Sequence, residues 1–208
     1  MKLNQKGLLI VLSGPSGVGK GTVRRALFDI KGHNLVYSIS MTTRKPRISE
    51  VDGEDYFFVS KQEFKQRIKE NRFLEYAEFV GNYYGTPADK IEEKLNKGLE
   101  VVLEIDVQGA LQVKAKMPDA VFVFIAPPSF QSLKDRLFAR GTESADLILE
   151  RLDKARRELD FAPAYDYIVI NDEVNNAADR IMAIIRAEHA KSSRSLEGYF
   201  KILEEENE

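Results

Sequence analysis

Residues 14 to 22 read Gly-Pro-Ser-Gly-Val-Gly-Lys-Gly-Thr and follow an apolar run, Leu8 to Leu12. This is nearly the pattern Gly-x-x-x-x-Gly-Lys-[Ser/Thr], in which backbone N–H groups surround a phosphate and the lysine reaches the outer oxygens. Gly14, Gly17 and Gly19 let the backbone approach an anion closely and take positive φ. Pro15, Ser16 and Val18 complete the turn. A helix is predicted to begin near Lys20, with its positive end toward the same anion. The chemistry implied is the handling of a nucleoside triphosphate; a ligand-free glycine-rich turn is the alternative, and the lysine weighs against it. Gly21 stands where most such loops place a hydroxyl on magnesium, and Thr22, one residue later, can reach a phosphate oxygen. Mg²⁺ keeps several waters and leans on substrate phosphates. The ion is therefore expected to be held mainly by phosphates and water, with no direct protein ligand.

A second cluster lies at Tyr37-Ser38-Ile39-Ser40-Met41-Thr42-Thr43-Arg44-Lys45-Pro46-Arg47, followed by Gly53-Glu54-Asp55-Tyr56-Phe57. Arg44 and Arg47, beside hydroxyl residues and with Tyr56 close behind, can converge on one phosphate through forked donors and a phenol O–H. A solvated basic turn fits the same spacing equally well.

These residues need a scaffold, and the chain of 208 residues is long enough for one well-cored domain. Short apolar runs at Leu8 to Leu12, Val101 to Ile105, Ala120 to Ile125 and Tyr167 to Ile170 alternate with segments of helical spacing. That pattern predicts an α/β fold, a parallel sheet covered on both faces. Val174, Ala177, Ala178, Ile181, Ile184 and Ile185 form one helical stripe, read as core packing. The stretch from about Val36 to Asp89 is read as an inserted strand-rich lobe. After Pro127-Pro128, two charged helical segments, Ser129 to Arg140 and Ser144 to Leu159, joined through Gly141, are read as a mobile cover.

Composition removes several classes of function. Lys+Arg number 31 against Asp+Glu 33, a formal net charge of -2, so the basic excess of a nucleic-acid coat is missing. There is no cysteine, which suits the reducing cytoplasm and leaves no thiolate metal site. His33 and His189 are the only histidines and are read as ordinary surface residues, so neither a histidine triad nor a zinc site is expected. The apolar part of Met1 to Leu12 is shorter than the ~7 to 15 residues of a secretory core. Nothing approaches ~18 uninterrupted apolar residues. The protein is read as soluble, without a membrane partner. Leu196, Tyr199, Phe200 and Leu203 give the tail an apolar face, with a slight preference for self-association as a homodimer or larger homo-oligomer.

The phosphate loop, the Tyr37 to Arg47 block and Asn82-Tyr83-Tyr84-Gly85-Thr86 together resemble the guanylate kinase family. The likeness continues through Leu103-Glu104-Ile105-Asp106-Val107-Gln108-Gly109, Phe124-Ile125-Ala126-Pro127-Pro128-Ser129, Arg140-Gly141-Thr142-Glu143 and Ile170-Asn171-Asp172, in the family's order, over about Gly7 to Arg186. The resemblance implies a P-loop nucleoside monophosphate kinase-like sheet flanked by helices. It implies transfer of the γ-phosphoryl group of ATP to GMP, with Mg²⁺. The whole chain, 1–208, would be one such domain: core 1–35, 90–126 and 160–208, a GMP-binding lobe 36–89, and a lid 127–159.

By the same resemblance Arg44, Arg47, Tyr56 and Tyr84 match holders of the GMP phosphate, and Ser40, Glu75 and Thr86 match guanine readers. Lys20, Arg136, Arg140 and Arg151 match groups around the transferring phosphates. Glu104 and Asp106 match carboxylates near the acceptor and the hydrated magnesium, and Asn171 lies on the ATP side. Guanine presents N1–H and its 2-amino group side by side, so one carboxylate accepts both; adenine offers an acceptor at N1 and opposes it. Arg136 and Arg140, four apart, share a helix face and are expected to pair with Asp135 or Glu143 when no ligand is bound. Three other readings give different outcomes: a peptide-binding scaffold domain of this type, a kinase for a phosphorylated sugar, and a regulatory GTPase. The intact loop argues against the first and the guanine readers against the second. The last would need an aspartate that Asn96-Lys97-Gly98-Leu99 lacks.

Overall fold

The computed structural model describes residues 6–139 and 145–205. In chain order the elements are β1 (Leu9–Ser13), α1 (Lys20–Asp29), β2 (Leu35–Tyr37), β3 (Met41–Thr42), β4 (Phe57–Phe58), α2 (Lys61–Lys69), β5 (Phe73–Phe79) and β6 (Asn82–Pro87). They continue with α3 (Ala88–Asn96), β7 (Glu100–Glu104), α4 (Val107–Lys116), β8 (Val121–Ala126), α5 (Phe130–Ala139), α6 (Ala145–Leu159), β9 (Tyr167–Ile170), α7 (Val174–Ala190) and α8 (Ser192–Glu205).

The apolar runs form the parallel sheet that their composition predicted, in the order β2-β7-β1-β8-β9. β1 shows why these strands must be covered twice. Ile10 and Leu12 join one cluster with Val23 and Leu27 of α1 and Ala177, Ala178, Ile181 and Ile185 of α7. Leu9 and Val11, pointing the other way, join Ile91 and Leu95 of α3 and Ala110 and Val113 of α4. Period-2 alternation splits one apolar strand between two cores.

A second sheet, β4-β3-β6-β5, is set apart from the first. Its own small core is Met41, Phe64 and Phe73, with Phe64 stacked on Phe73 at 4.3 Å and on Tyr83 at 5.4 Å between ring centroids. Burying a side chain such as Phe64 contributes about 1.5–3 kcal/mol, so one helix, α2, suffices to hold this sheet's inner face. α2 starts where the Ser60 hydroxyl accepts the Glu63 N–H. Residues 36 and 37 pair with β7 in the main sheet, so the second sheet begins at Met41. In the segment after Pro128, α5 and α6 meet through Leu137, Ile148 and Leu152. Gly141, which joins them, lies outside the described residues.

Both histidines depart from the surface role read from the sequence. Glu100, buried at the start of β7, accepts the Leu8 N–H at 2.8 Å and places its other oxygen 2.8 Å from His189 Nε2. His189 therefore ties the end of α7 to the sheet. His33 Nδ1 accepts the Leu35 N–H at 3.1 Å, which leaves Nε2 to donate to the Phe28 carbonyl at 3.2 Å. Neither partner is visible from local spacing, because each depends on how the chain turns back on itself.

Candidate active site

The carboxyl ends of β1, β7 and β8 open on one crevice, the usual ligand position in a parallel sheet. Gly14 leaves β1 with φ 146°, and a Cβ there would lie 2.2 Å from the Ile125 carbonyl oxygen of β8. Only glycine fits so close a crossing. Gly19, at φ 95°, is the N-cap of α1, and no side chain caps that helix's first turn. Its leading N–H groups are thus left for a ligand. Lys20 is folded back on its own loop, its Nζ donating to the Gly14 carbonyl at 2.6 Å and to that of Pro15 at 3.2 Å. Burial holds its pKa below the ordinary lysine value, while Glu158, Glu104 and Asp106 pull it upward. A desolvated ammonium whose partners are neutral carbonyls is suited to exchange them for anionic phosphate oxygens.

Position 21 lies beside a carboxylate. A Cβ on Gly21 would stand 3.4 Å from Glu104 Oε1, so the carboxylate occupies the space beside it. Glu104 closes β7 and is held by Arg24 Nε at 2.8 Å; Arg24 in turn lies 4.2 Å over the Tyr37 ring. Thr22 is exposed, and its hydroxyl accepts only a long contact, 3.4 Å, from Arg25.

The far wall of the loop is lined from α5, α6 and the end of β9. Ser16 is engaged twice by α6: its N–H donates to Glu158 at 2.8 Å, and its hydroxyl accepts from Arg151 Nε at 3.3 Å and Nη2 at 3.1 Å. Arg136 was expected to pair with Asp135 or Glu143 in the absence of ligand; Gln131 takes the Asp135 carboxylate, and Glu143 lies outside the described residues. Arg136 instead donates to the carbonyls of Val18 at 3.0 Å and Asn171 at 2.8 Å. Backbone carbonyls already fixed by the loop are nearer to its fork than a solvated neighbour on its own helix. Asn171 Nδ2 donates to the same Val18 carbonyl at 2.8 Å, which leaves its Oδ1 buried and unpartnered among the described residues. Arg140 lies outside the described residues.

Opposite the loop, the second sheet presents its own polar set. Glu75 on β5 faces Thr86 on β6, just past a bulge in the register, and the Thr86 hydroxyl donates to Oε1 at 2.6 Å. Burial raises the Glu75 pKa against the pull of that hydrogen bond. Gly109 permits the approach, since a Cβ there would lie 3.3 Å from Glu75 Oε2. Asp106 caps α4, accepting the Gly109 N–H at 2.9 Å, and its charge is felt by both Glu75 and Lys20. It stands between the two halves of the crevice. Ser40 is half-buried at the entry to β3, its carbonyl accepting the Phe57 N–H at 2.9 Å. Arg44 lies 5.4 Å from the Tyr56 ring centroid, and the rings of Tyr56 and Tyr84 meet edge-on at 6.1 Å. Arg47 stays exposed.

Lys20, Ser16, Arg136, Arg151 and Asn171 thus gather on one side, with Glu75, Thr86, Arg44, Tyr56 and Tyr84 on the other. Sequence reasoning missed Glu158, which accepts the Ser16 N–H, Arg24, which holds Glu104, and Glu50, which holds Arg44. Each is a lone charged residue with no motif of its own, and only its distance in space singles it out. A cavity of about 890 Å³ opens elsewhere, at the amino ends of the strands, lined by Leu8, Leu9, Ala120, Tyr167 and Arg194 among others. It contains none of the loop residues.

The guanylate kinase family model matches residues 6–188. The guanylate kinase of Aster yellows witches'-broom phytoplasma (strain AYWB) is 59% identical over 206 residues, covering 99% of this chain and 98% of that one. That of Streptococcus mutans serotype c is 53% identical over 204 residues, covering 98% and 97%. The crystal structure of guanylate kinase from Anaplasma phagocytophilum superposes with a TM-score of 0.70 at 37% identity, covering 92% of this chain and 90% of that one. A chain that matches this family model from residue 6 to 188 and is this similar to those proteins over nearly its full length belongs to the guanylate kinase family.

Proposed function

We propose that this chain transfers the γ-phosphoryl group of ATP to GMP, giving ADP and GDP, and so recycles GMP in purine metabolism. The observation that carries the reading is the buried Glu75 and Thr86 pair facing the Lys20 loop across Asp106. Glu75 accepts guanine N1–H and the 2-amino group, Ser40 and Thr86 complete the base contacts, and Arg44, Arg47, Tyr56 and Tyr84 hold the acceptor's phosphate. Residues 14 to 22 cradle the donor's phosphates. Asn171 offers its unpartnered oxygen on the adenosine side, and Lys20, Arg136, Arg140 and Arg151 neutralise charge on the moving group.

A GMP phosphate oxygen attacks the γ-phosphorus as the bond to the β–γ bridging oxygen breaks, and ADP leaves with that electron pair. The acceptor is already anionic, so no histidine base is needed; placement and charge neutralisation supply the acceleration. The lobe built on the second sheet, from Met41 onward, and the cover formed by α5 and α6 exclude water when they close. Magnesium fits through water: Glu104 lies beside Gly21 and Asp106 two residues further on, and these carboxylates would hold the ion's water shell. When bound with ATP, the ion neutralises phosphate oxygens.

With ATP and Mg²⁺, a panel of monophosphates should show GMP phosphorylated at least ~10³-fold more efficiently than AMP or UMP, as buried polar matching allows. Equal turnover of AMP or UMP would defeat the assignment. The proposal extends to cytoplasmic residence and to self-association through α8, whose Leu196, Tyr199 and Phe200 are about half exposed. No helix among the described residues is long and apolar enough to cross a membrane. Sedimentation with and without residues 190–208 should show a homodimer or larger species lost on truncation; an unchanged mass would remove α8 from any interface.

A further inference from the structure

The loop between β3 and β4 contains a pairing that none of the roles above uses. Arg44 Nη2 donates to Glu50 Oε1 at 2.8 Å and Nη1 to Oε2 at 2.9 Å, an end-on fork. Nη1 also donates to the Lys45 carbonyl at 2.8 Å, and Glu50 Oε2 accepts the Arg47 N–H at 2.8 Å. A guanidinium carries five N–H donors. Three are taken here, and the two left over, Nε–H and the second N–H of Nη2, lie along one edge. Two parallel donors on one edge are what a phosphate accepts bidentately. The Tyr56 ring centroid lies 5.4 Å from the same guanidinium, and the Tyr84 ring meets that of Tyr56 edge-on.

We propose that Glu50 is a positioning residue for the acceptor's phosphate: it grips the end of the Arg44 fork and the Arg47 backbone, leaving the side edge of Arg44 presented to the anion. This rests on the reading of Arg44 as a phosphate holder. Nearly all of the loop between Thr42 and Phe57 is irregular, with one isolated bridge, Asp52 to Tyr56. An arginine on such a loop would lose much side-chain freedom on binding unless something held it beforehand. Glu50 supplies that hold with one carboxylate and fixes the spacing of both arginines. Hydrogen bonds from Arg44 and the Arg47 N–H bring its pKa down to about 2, so the grip persists through any neutral working pH.

The contrasting role is that of a competitor, a carboxylate occupying the phosphate's own place. Calorimetric binding of GMP and of guanosine to the parent and to Glu50→Gln separates the two, together with steady-state kinetics. Positioning predicts that Kd and KM for GMP rise about tenfold, the scale of one mis-set charge-assisted hydrogen bond. Guanosine affinity, KM for ATP and kcat should stay within about twofold. Glu50→Asp should recover part of the loss, and in an Arg44→Ala background Glu50→Gln should cost markedly less than in the parent, leaving only its hold on the Arg47 N–H. Unchanged or tighter GMP binding overturns the proposal, as does an equal loss for guanosine, which would mark a merely structural loop contact. Should the parent itself fail to prefer GMP over guanosine, the phosphate-holding reading of Arg44 falls too, and the failures are thereby told apart.

Discussion

Lys20→Ala is expected to lower kcat for GMP phosphorylation about 10³-fold, with the fold intact. Removing one preorganised donor to developing charge typically costs 10²- to 10³-fold, and more at phosphoryl groups. The reason to expect the upper end is the environment: Lys20 is desolvated by burial, so its charge acts with little screening by water. Its present partners are two carbonyls of its own loop, which the missing side chain would leave to solvent or to neighbouring amides. The melting temperature should therefore shift by only a few degrees. Stopped-flow or steady-state turnover at saturating ATP and GMP checks the effect, with circular dichroism confirming the fold. Turnover within tenfold of the parent would take Lys20 out of the mechanism.

The second large effect belongs to Glu75→Gln. An amide presents one acceptor and one donor where guanine requires two acceptors, so one hydrogen bond to a charged group is lost and another is opposed. At about 1.5 to 2 kcal/mol each, this amounts to about 10²- to 10³-fold in kcat/KM for GMP. The same substitution should not destabilise the protein. Folding raises this carboxyl's pKa through burial. Ionisation therefore costs stability: the cost is absent below the unfolded pKa and complete above the folded one. Glutamine removes that cost near neutral pH, so the variant should melt at or above the parent's temperature while losing GMP selectivity. As pH falls, the parent should lose GMP affinity at a higher pH than an ordinary carboxylate would dictate, and the variant's profile should be flat there. A variant that melts early and loses ATP and GMP binding together would show Glu75 to be a packing residue.

The parallel sheet was legible because β1 and β8 are apolar at almost every position, which only a doubly covered strand tolerates. The second sheet was harder to delimit. β3 and β4 are two residues each, too short for any periodicity, and α2 carries one fully buried side chain, Phe64. Arg136 was assigned to the transferring phosphates by resemblance, and its ligand-free partners were sought among nearby acidic residues. The fold instead brings it to carbonyls 118 and 35 residues away.

The sequence by itself determined the phosphate loop and its position after a buried strand. Steric freedom at Gly14 and Gly19, and a lysine at the head of a helix, are demands met within nine consecutive residues. Only the tertiary structure decided which donor each carboxylate meets. Glu158 reaches the Ser16 N–H across 142 residues and Glu104 reaches Arg24 across 80. Charges of this kind have no preferred spacing along the chain, since their attraction becomes selective only after packing has brought them within hydrogen-bond distance and removed the competing water.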